Sequence, residues 1–244
     1  MTLLTGETDV FAAAASGGRC AVMFIAKRQS IEERIYGAEH VEAIERTLAR
    51  FASEGWLLSI RAMFQGGDAT SAAMALDTGF AHDVDVAGVF EAPSIDAALK
   101  GTVRLEQAGW SRLFTTEWLI GPREFATVNG IGEQIDRPWG FLALWEWNDQ
   151  WTAASPEERR AYDLECDVAF KSDLGLNVNI AGRHRLDWAH AWHHLGVWEA
   201  ASLEIVDEAM RGHEHAADFM FTTSRHVVGR VRPLRDLIAM GARR

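Results

Sequence analysis

Gly88-Val89-Phe90-Glu91-Ala92 and Gly196-Val197-Trp198-Glu199-Ala200 are two short stretches of similar sequence, and their relation decides the fold. They lie about 108 residues apart, and the register continues outward from them without a gap. Upstream, Phe80-Ala81-His82 falls on Trp188-Ala189-His190. Downstream, Ser94-Ile95-Asp96 falls on Ser202-Leu203-Glu204, Thr115 on Thr223, and Leu119-Ile120-Gly121 on Val227-Val228-Gly229. Ungapped matching of this length marks two copies of one structural unit.

Each copy reads as strand, helix, strand, strand, helix, strand. In the first, residues 21–26 are an apolar run of strand length, and Ser30-Ile31-Glu32-Glu33 opens a helix that continues to about residue 53. Residues 57–64 and 84–90 read as strands, a second helix starts near Ser94, and residues 117–120 are the last strand. In the second copy residues 141–147 open the unit, and Ser155-Pro156-Glu157-Glu158 supplies an N-cap, a first-turn proline and first-turn acids to a helix. Residues 177–180, 195–198 and 225–228 complete its sheet.

This βαββαβ order is the ferredoxin-like unit, whose helices cover one face of a four-stranded antiparallel sheet and leave the other to be buried. Two such sheets facing each other bury it, so the expected class is α+β, with tandem ferredoxin-like (βαββαβ) repeats forming an α+β barrel. The expected division is an N-terminal tail over 1–19, a scaffold unit over 20–123, a linker over 124–138, a site-bearing unit over 139–234 and a C-terminal tail over 235–244. Open strand edges predict a homo-oligomer.

Composition removes several functions. The 244 residues are 48% hydrophobic and 24% charged, as in a soluble globular protein. A net charge of −11 argues against nucleic acid as partner, because phosphate binding needs clustered Lys and Arg. Cys20 and Cys166 have no CxxC spacing and read as free thiols. The first residues lack a basic segment and a long apolar run, so the expectation is a cytoplasmic protein with no membrane anchor.

The histidines are distributed unevenly. His184, His190, His193, His194, His213, His215 and His226, seven of the 9, lie in the second copy. Opposite the last five, the first copy carries Asp85, Val86, Leu105, Gln107 and Trp118. Residues present in both copies, such as Glu91 and Glu199 or His82 and His190, are read as architectural, whereas chemistry needs only one copy. His193 and His194 are adjacent on a strand and should point to opposite faces, and His213 and His215 are two apart on a helix, so neither pair chelates one ion. No HExxH or facial-triad spacing accompanies them. Leu203, Val206, Met210, His213, Ala217 and Met220 recur at spacings of three and four, which puts His213 on the stripe facing the sheet and His215 off it.

Three stretches, residues 196–203, Gly212-His213-Glu214-His215-Ala216-Ala217-Asp218-Phe219 and Arg225-His226-Val227-Val228, resemble the C-terminal part of heme-containing aldoxime dehydratases. The wider group, with chlorite dismutases and coproheme decarboxylases, is similar in length and tandem layout, and in Met210-Arg211 and Val228-Gly229-Arg230. The resemblance implies heme as cofactor, His213 or His215 as axial ligand of the iron, and His226 as acid/base catalyst. It departs from the chlorite dismutase group where that group places its proximal histidine, since Lys171 and Asp173 stand there around Gly175. Trp198 and Phe219, with Trp188, Trp192 and Phe221, would supply apolar walls.

The expected function is therefore a heme-dependent lyase or oxidoreductase, of dehydratase or peroxide-type chemistry, acting on a small organic substrate. The alternative is an α+β barrel enzyme with no cofactor, a monooxygenase, isomerase or decarboxylase. There His226 or His194 is the general base, and Arg225 or Arg183 holds an anionic group. A non-catalytic protein binding a small ligand is the third class. In each case the site should be a cavity between the second unit's sheet and its C-terminal helix.

Overall fold

The computed structural model describes residues 18–29, 37–64, 72–79, 83–188 and 191–240. The expected helix start at Ser30 and the pair His82 and His190 lie outside them. The first unit contains β1 (Cys20–Arg28), α1 (Gly37–Ser53), α2 (Ile60–Phe64), β2 (Met74–Asp77), β3 (Val86–Ala92), α3 (Ile95–Gln107), α4 (Trp110–Leu113) and β4 (Phe114–Pro122). After β5 (Thr127–Val128), the second contains β6 (Trp139–Trp147), α5 (Asp149–Ala153), α6 (Pro156–Gly175), β7 (Asn179–Arg185), β8 (His194–Ala200), α7 (Leu203–His215), α8 (Asp218–Phe221) and β9 (Thr222–Pro233). Helix α9 (Leu234–Met240) ends the described chain.

The strand order β4-β1-β3-β2-β9-β6-β8-β7-β5 places the same four-strand pattern twice, joined where β2 pairs with β9. Helices α3 and α7, the short helices after them and the flanking strands keep the register of the sequence repeat. At the far edges Arg123 of the stretch after β4 bridges His184 of β7, which brings the two sheets together. Strand β1 shows why its sequence is continuously apolar. Ala21, Met23 and Ile25 face a core shared with Leu142, Leu144, Leu195 and Val197 of the other sheet, while Cys20, Val22, Phe24 and Ala26 face the helices. Both faces are buried, so polar alternation disappears.

Local chemistry sets the helix starts. Ser155 and Glu158 form a capping box with Pro156 following, and Ser94 and Ser202 cap α3 and α7 from matched positions. Two expectations fail. Residues 57–64 are not a strand: Leu57 makes a single bridge to Glu91, and Ser59 Oγ accepts the Ala62 N–H and starts α2, leaving β2 to be formed by Met74–Asp77. A short apolar run fits either period, and the cap decided it. Residues 235–240 are not a loose tail, because α9 buries Leu237 and Ile238 completely against the outer core of the first unit; residues 241–244 lie outside the described residues. The linker over 124–138 carries β5 and is fastened to the second unit: the Glu124 N–H donates to the Arg183 carbonyl, and the Arg137 guanidinium donates to Asn177. No helix among the described residues is long and apolar enough to cross a membrane.

Candidate active site

The outer face of the second sheet and the helices above it enclose a cavity of about 610 Å³. Its floor is the alternating row Phe141, Ala143, Trp145 and Trp147 of β6, with Gly196 and Trp198 of β8 and Thr222, Ser224 and His226 of β9. Ala143 pairs with Gly196 on one side and His226 on the other, so two small neighbouring residues leave the floor low beside the His226 ring. One stripe of α6 forms the wall, with Arg159, Tyr162, Asp163, Cys166, Asp167 and Phe170 spaced by three and four. Met210, His213, Asp218 and Phe219 close the far end.

His213 is buried and sits between two carboxylates. Its Nε2 lies 2.9 Å from Asp173 Oδ2, and its Nδ1 lies 3.2 Å from Asp218 Oδ2 without hydrogen-bond alignment. Burial lowers an imidazole pKa, but Asp173 and Asp218 outweigh it here, and His213 is pushed up to about 9. Burial raises the Asp173 carboxyl, so the pair holds a proton between its members. Asp218 is anchored from its other oxygen by the Tyr162 hydroxyl, which donates to Oδ1. Burial raises the Tyr162 phenol and the Cys166 thiol, with Asp218 adding to both, so both stay protonated.

His226 sits on the floor between Phe141 and Phe219, with ring centroids 5.0 and 6.0 Å away. Its ring opens to solvent, and neither nitrogen has a hydrogen-bond partner among the described residues. The surrounding protein still lowers its pKa, chiefly by desolvation, which keeps it neutral. At the other end His194 stacks on Trp145, with its Nδ1 buried and unpartnered. Desolvation, with Arg183 and His193, lowers it to about 3. Beside it Arg183 is held by Glu124 at 2.6 Å and lies over the Phe125 ring.

The structure thus brings His213, His226, His194, Trp198 and Phe219 into one cavity. It leaves two expected site residues outside. His215 is exposed, with Nδ1 2.6 Å from the Arg211 carbonyl oxygen. Arg225 turns from the cavity and pairs with Glu117 of the first unit at 2.9 Å, because it shares the barrel-facing side of β9 with Val227. Nor do the adjacent histidines diverge as expected. His193 and His194 both border the cavity, since His193 precedes β8 and its Nδ1 accepts the Trp147 N–H. Trp188 is exposed, Trp192 packs on the inter-sheet core, and Phe221 packs behind the cavity on Trp151 and Tyr162.

Sequence reasoning missed Asp218, Tyr162, Trp145, Trp147 and Trp151, and saw in Asp173 only a departure from a family pattern. The signal for the α6 wall was available as period rather than hydrophobicity, because its inward stripe is polar. Asp218 shows in the repeat, since the first copy has Trp110 at its place. Among the described residues no group of three or more His, Cys, Asp or Glu is arranged to hold a metal ion.

No protein-family model matches the sequence, and no curated protein matches it. Solved structures match its fold. A doubly substituted chlorite dismutase from Candidatus Nitrospira defluvii superposes with a TM-score of 0.72 at 16% identity, covering 93% of this chain and 96% of that one. The imidazole complex of the same organism's enzyme gives 0.70 at 16%, over 94% and 97%. A substituted form bound to cyanide gives 0.68 at 14%, again over 94% and 97%. The chain has the α+β fold of these proteins over nearly its whole length, the group whose tandem layout its sequence resembles.

Proposed function

Starting from the fold shared with chlorite dismutases, we propose that the cavity binds heme and that the protein is a heme-dependent enzyme acting on a small organic molecule. The observation that carries this reading is His213: a buried imidazole at the cavity wall, oriented through Nε2 by Asp173, whose Nδ1 makes no aligned hydrogen bond and faces only the part-exposed carboxylate of Asp218. A histidine that ligates a metal is held in this way, one nitrogen on a carboxylate and the other free for the metal. Phe170 and Trp198 against His213, with Phe141 beside Trp198 on the floor, give a flat guest an apolar surface at this end of the cavity. When bound, heme would be held by His213 and would supply an iron able to activate the substrate's N–O or O–O bond.

The chain's own residues supply the rest. His226, neutral and unpartnered, gives or takes a proton at a ring nitrogen facing the cavity, as cleavage of an N–O or O–O bond requires. The Trp145, Trp147 and Trp151 side chains line the end of the cavity beside His194, and Arg183, fixed by Glu124, offers its charge there to an anionic substrate group. Hemin titration tests the reading. A Soret band should appear with the wild-type chain and be lost in His213→Ala, while His215→Ala should keep it. His226→Ala should retain heme and lose turnover by about 10² to 10⁴.

A second reading draws on the proton that His213 holds. As an imidazolium between Asp173 and Asp218 it would act without a cofactor, with His226 or His194 as base in the same cavity. Failure of the wild-type chain to take up hemin decides for that reading.

A further inference from the structure

We propose that Asp218 is a gate on the axial nitrogen: its carboxylate occupies the place from which His213 Nδ1 would bond iron, and it must turn away before that nitrogen becomes available. The inference rests on the heme reading of the cavity, but the observations that carry it are independent of that reading.

One is the contact itself. Asp218 Oδ2 lies 3.2 Å from Nδ1 while Asp173 holds Nε2 at 2.9 Å, so the ring faces a carboxylate on each side and has no lone pair directed at the cavity. The contact is also imperfect, since Nδ1 has no aligned hydrogen bond, and 23% of the Asp218 side chain remains exposed, which leaves it room to turn. Another is the anchor. The Tyr162 hydroxyl donates to Asp218 Oδ1, and Tyr162 is itself packed edge-on against Trp147, Trp151 and Phe221. The last is the backbone. Ala217, which precedes Asp218, has φ 55, a left-handed conformation that the first unit assigns to Gly109 with φ 108. A side-chain-bearing residue is strained there, and the strain sits at the turn that aims Asp218 at His213. When the gate opens, His213 Nδ1 is exposed to the cavity and gives up its proton to solvent as a bond to the metal replaces it, while the Nε2 proton stays in the bond to Asp173.

The test is hemin uptake by the full chain, followed as Soret absorbance against time and concentration. Asp218→Asn keeps the size and removes the charge. Uptake should become about ten- to a hundredfold tighter, the worth of one close charge contact at a buried nitrogen, with the Soret position unchanged because the ligand is still His213. The double variant with His213→Ala should lose the gain. Uptake by Asp218→Asn that is unchanged or weaker, while the wild-type chain binds hemin through His213, overturns the gate and leaves the heme reading standing. Absence of uptake by both proteins removes the two together. If Asp218→Asn does not fold, Tyr162→Phe releases only the anchor and should tighten uptake about two- to tenfold; no change there overturns the gate equally.

Discussion

The first unit's outer core and the second unit's cavity occupy matched places between matched elements, and a few side chains separate them. In the first, Phe24 lies between Gly88 and Trp118 in the sheet; in the second, Ala143 lies between Gly196 and His226. Leu105, Trp110 and Phe114 of the first copy become His213, Asp218 and Thr222 of the second. Phe24 packs on Phe90, Trp110 and Trp118 with centroids 5.1, 5.3 and 5.8 Å away, and no comparable mass fills the space above Ala143. The backbone is the same design twice. Packing is spent in one copy on stability and withheld in the other to leave a space, and the core shared between the sheets lets the filled copy support the open one.

The comparison breaks most sharply if the exchange is made in reverse. Trp110 is fully buried, with its indole N–H on Thr116 at 2.8 Å. Trp110→Asp puts the second unit's residue into the first, where nothing waits to pair with it. The loss should exceed about 5 kcal/mol, from the cavity and the unpaired buried charge together, enough to abolish the cooperative urea transition. A mild loss of about 1 kcal/mol would show that the first unit tolerates an open core.

Glu91 and Glu199 stand at matched positions and divide the units electrostatically. Burial alone would raise both. At Glu91, His184, Arg123 and Arg19 outweigh it and hold the carboxyl at about 2, while at Glu199 burial prevails over Asn179 and Arg61 and the carboxyl is raised. Because Glu91 titrates below its ordinary value near 4.5, it stabilises the fold above that pH, and the contribution is lost as pH falls toward 2. Glu199 has the opposite sign, with its charged form weakening the fold as pH rises past its ordinary value. Glu91→Gln should therefore cost about 3–5 kcal/mol at pH 7 and flatten the acid side of the stability profile. Glu199→Gln should change stability by less than about 1 kcal/mol, since its Oε2 has no hydrogen-bond partner to lose. Equal losses in urea titrations would mean that the two carboxylates are architecture of one kind.

Filling the cavity from the first unit's template sharpens the comparison from the other side. Ala143→Phe restores the residue that Phe24 supplies, opposite Gly196 as Phe24 is opposite Gly88. The fold should stay within about 1.5 kcal/mol of the wild-type chain, and hemin uptake should fall at least about a hundredfold. Uptake that survives would place the guest elsewhere than above Ala143.

How much was legible follows from the same pair of copies. The repeat carried the βαββαβ order and the helix start near Ser94, and helical spacing carried the burial of His213, because such patterns are local. It also pointed to the right unit through the histidine excess. What stayed hidden depends on contacts between segments far apart in sequence. Asp173 meets His213 across α6 and α7, and Tyr162 meets Asp218 from another helix. The α2 turn and the docking of α9 were missed because a five-residue helix and a chain end carry too little pattern to outweigh a plausible strand or tail.

The smallest expected effect lies at the turn before Asp218. Gly109 and Ala217 share a left-handed conformation, but only the first could not be anything else: a Cβ at Gly109 would stand 2.5 Å from His40 Nδ1. Gly109→Ala should therefore cost more than the conformational strain alone, about 1–2 kcal/mol plus the displacement of His40. Ala217→Gly should do the reverse and stabilise the chain by about 0.5–1 kcal/mol in urea titration, because glycine takes this conformation without a steric cost. The gain would come with a consequence for the site. A relaxed turn aims Asp218 less firmly, so hemin uptake should rise in the same variant by a factor of about two, the least of the changes expected at the gate. A loss of stability in Ala217→Gly would mean that the turn is held by its neighbours rather than strained against them, and the gate would then have to work through Tyr162 alone.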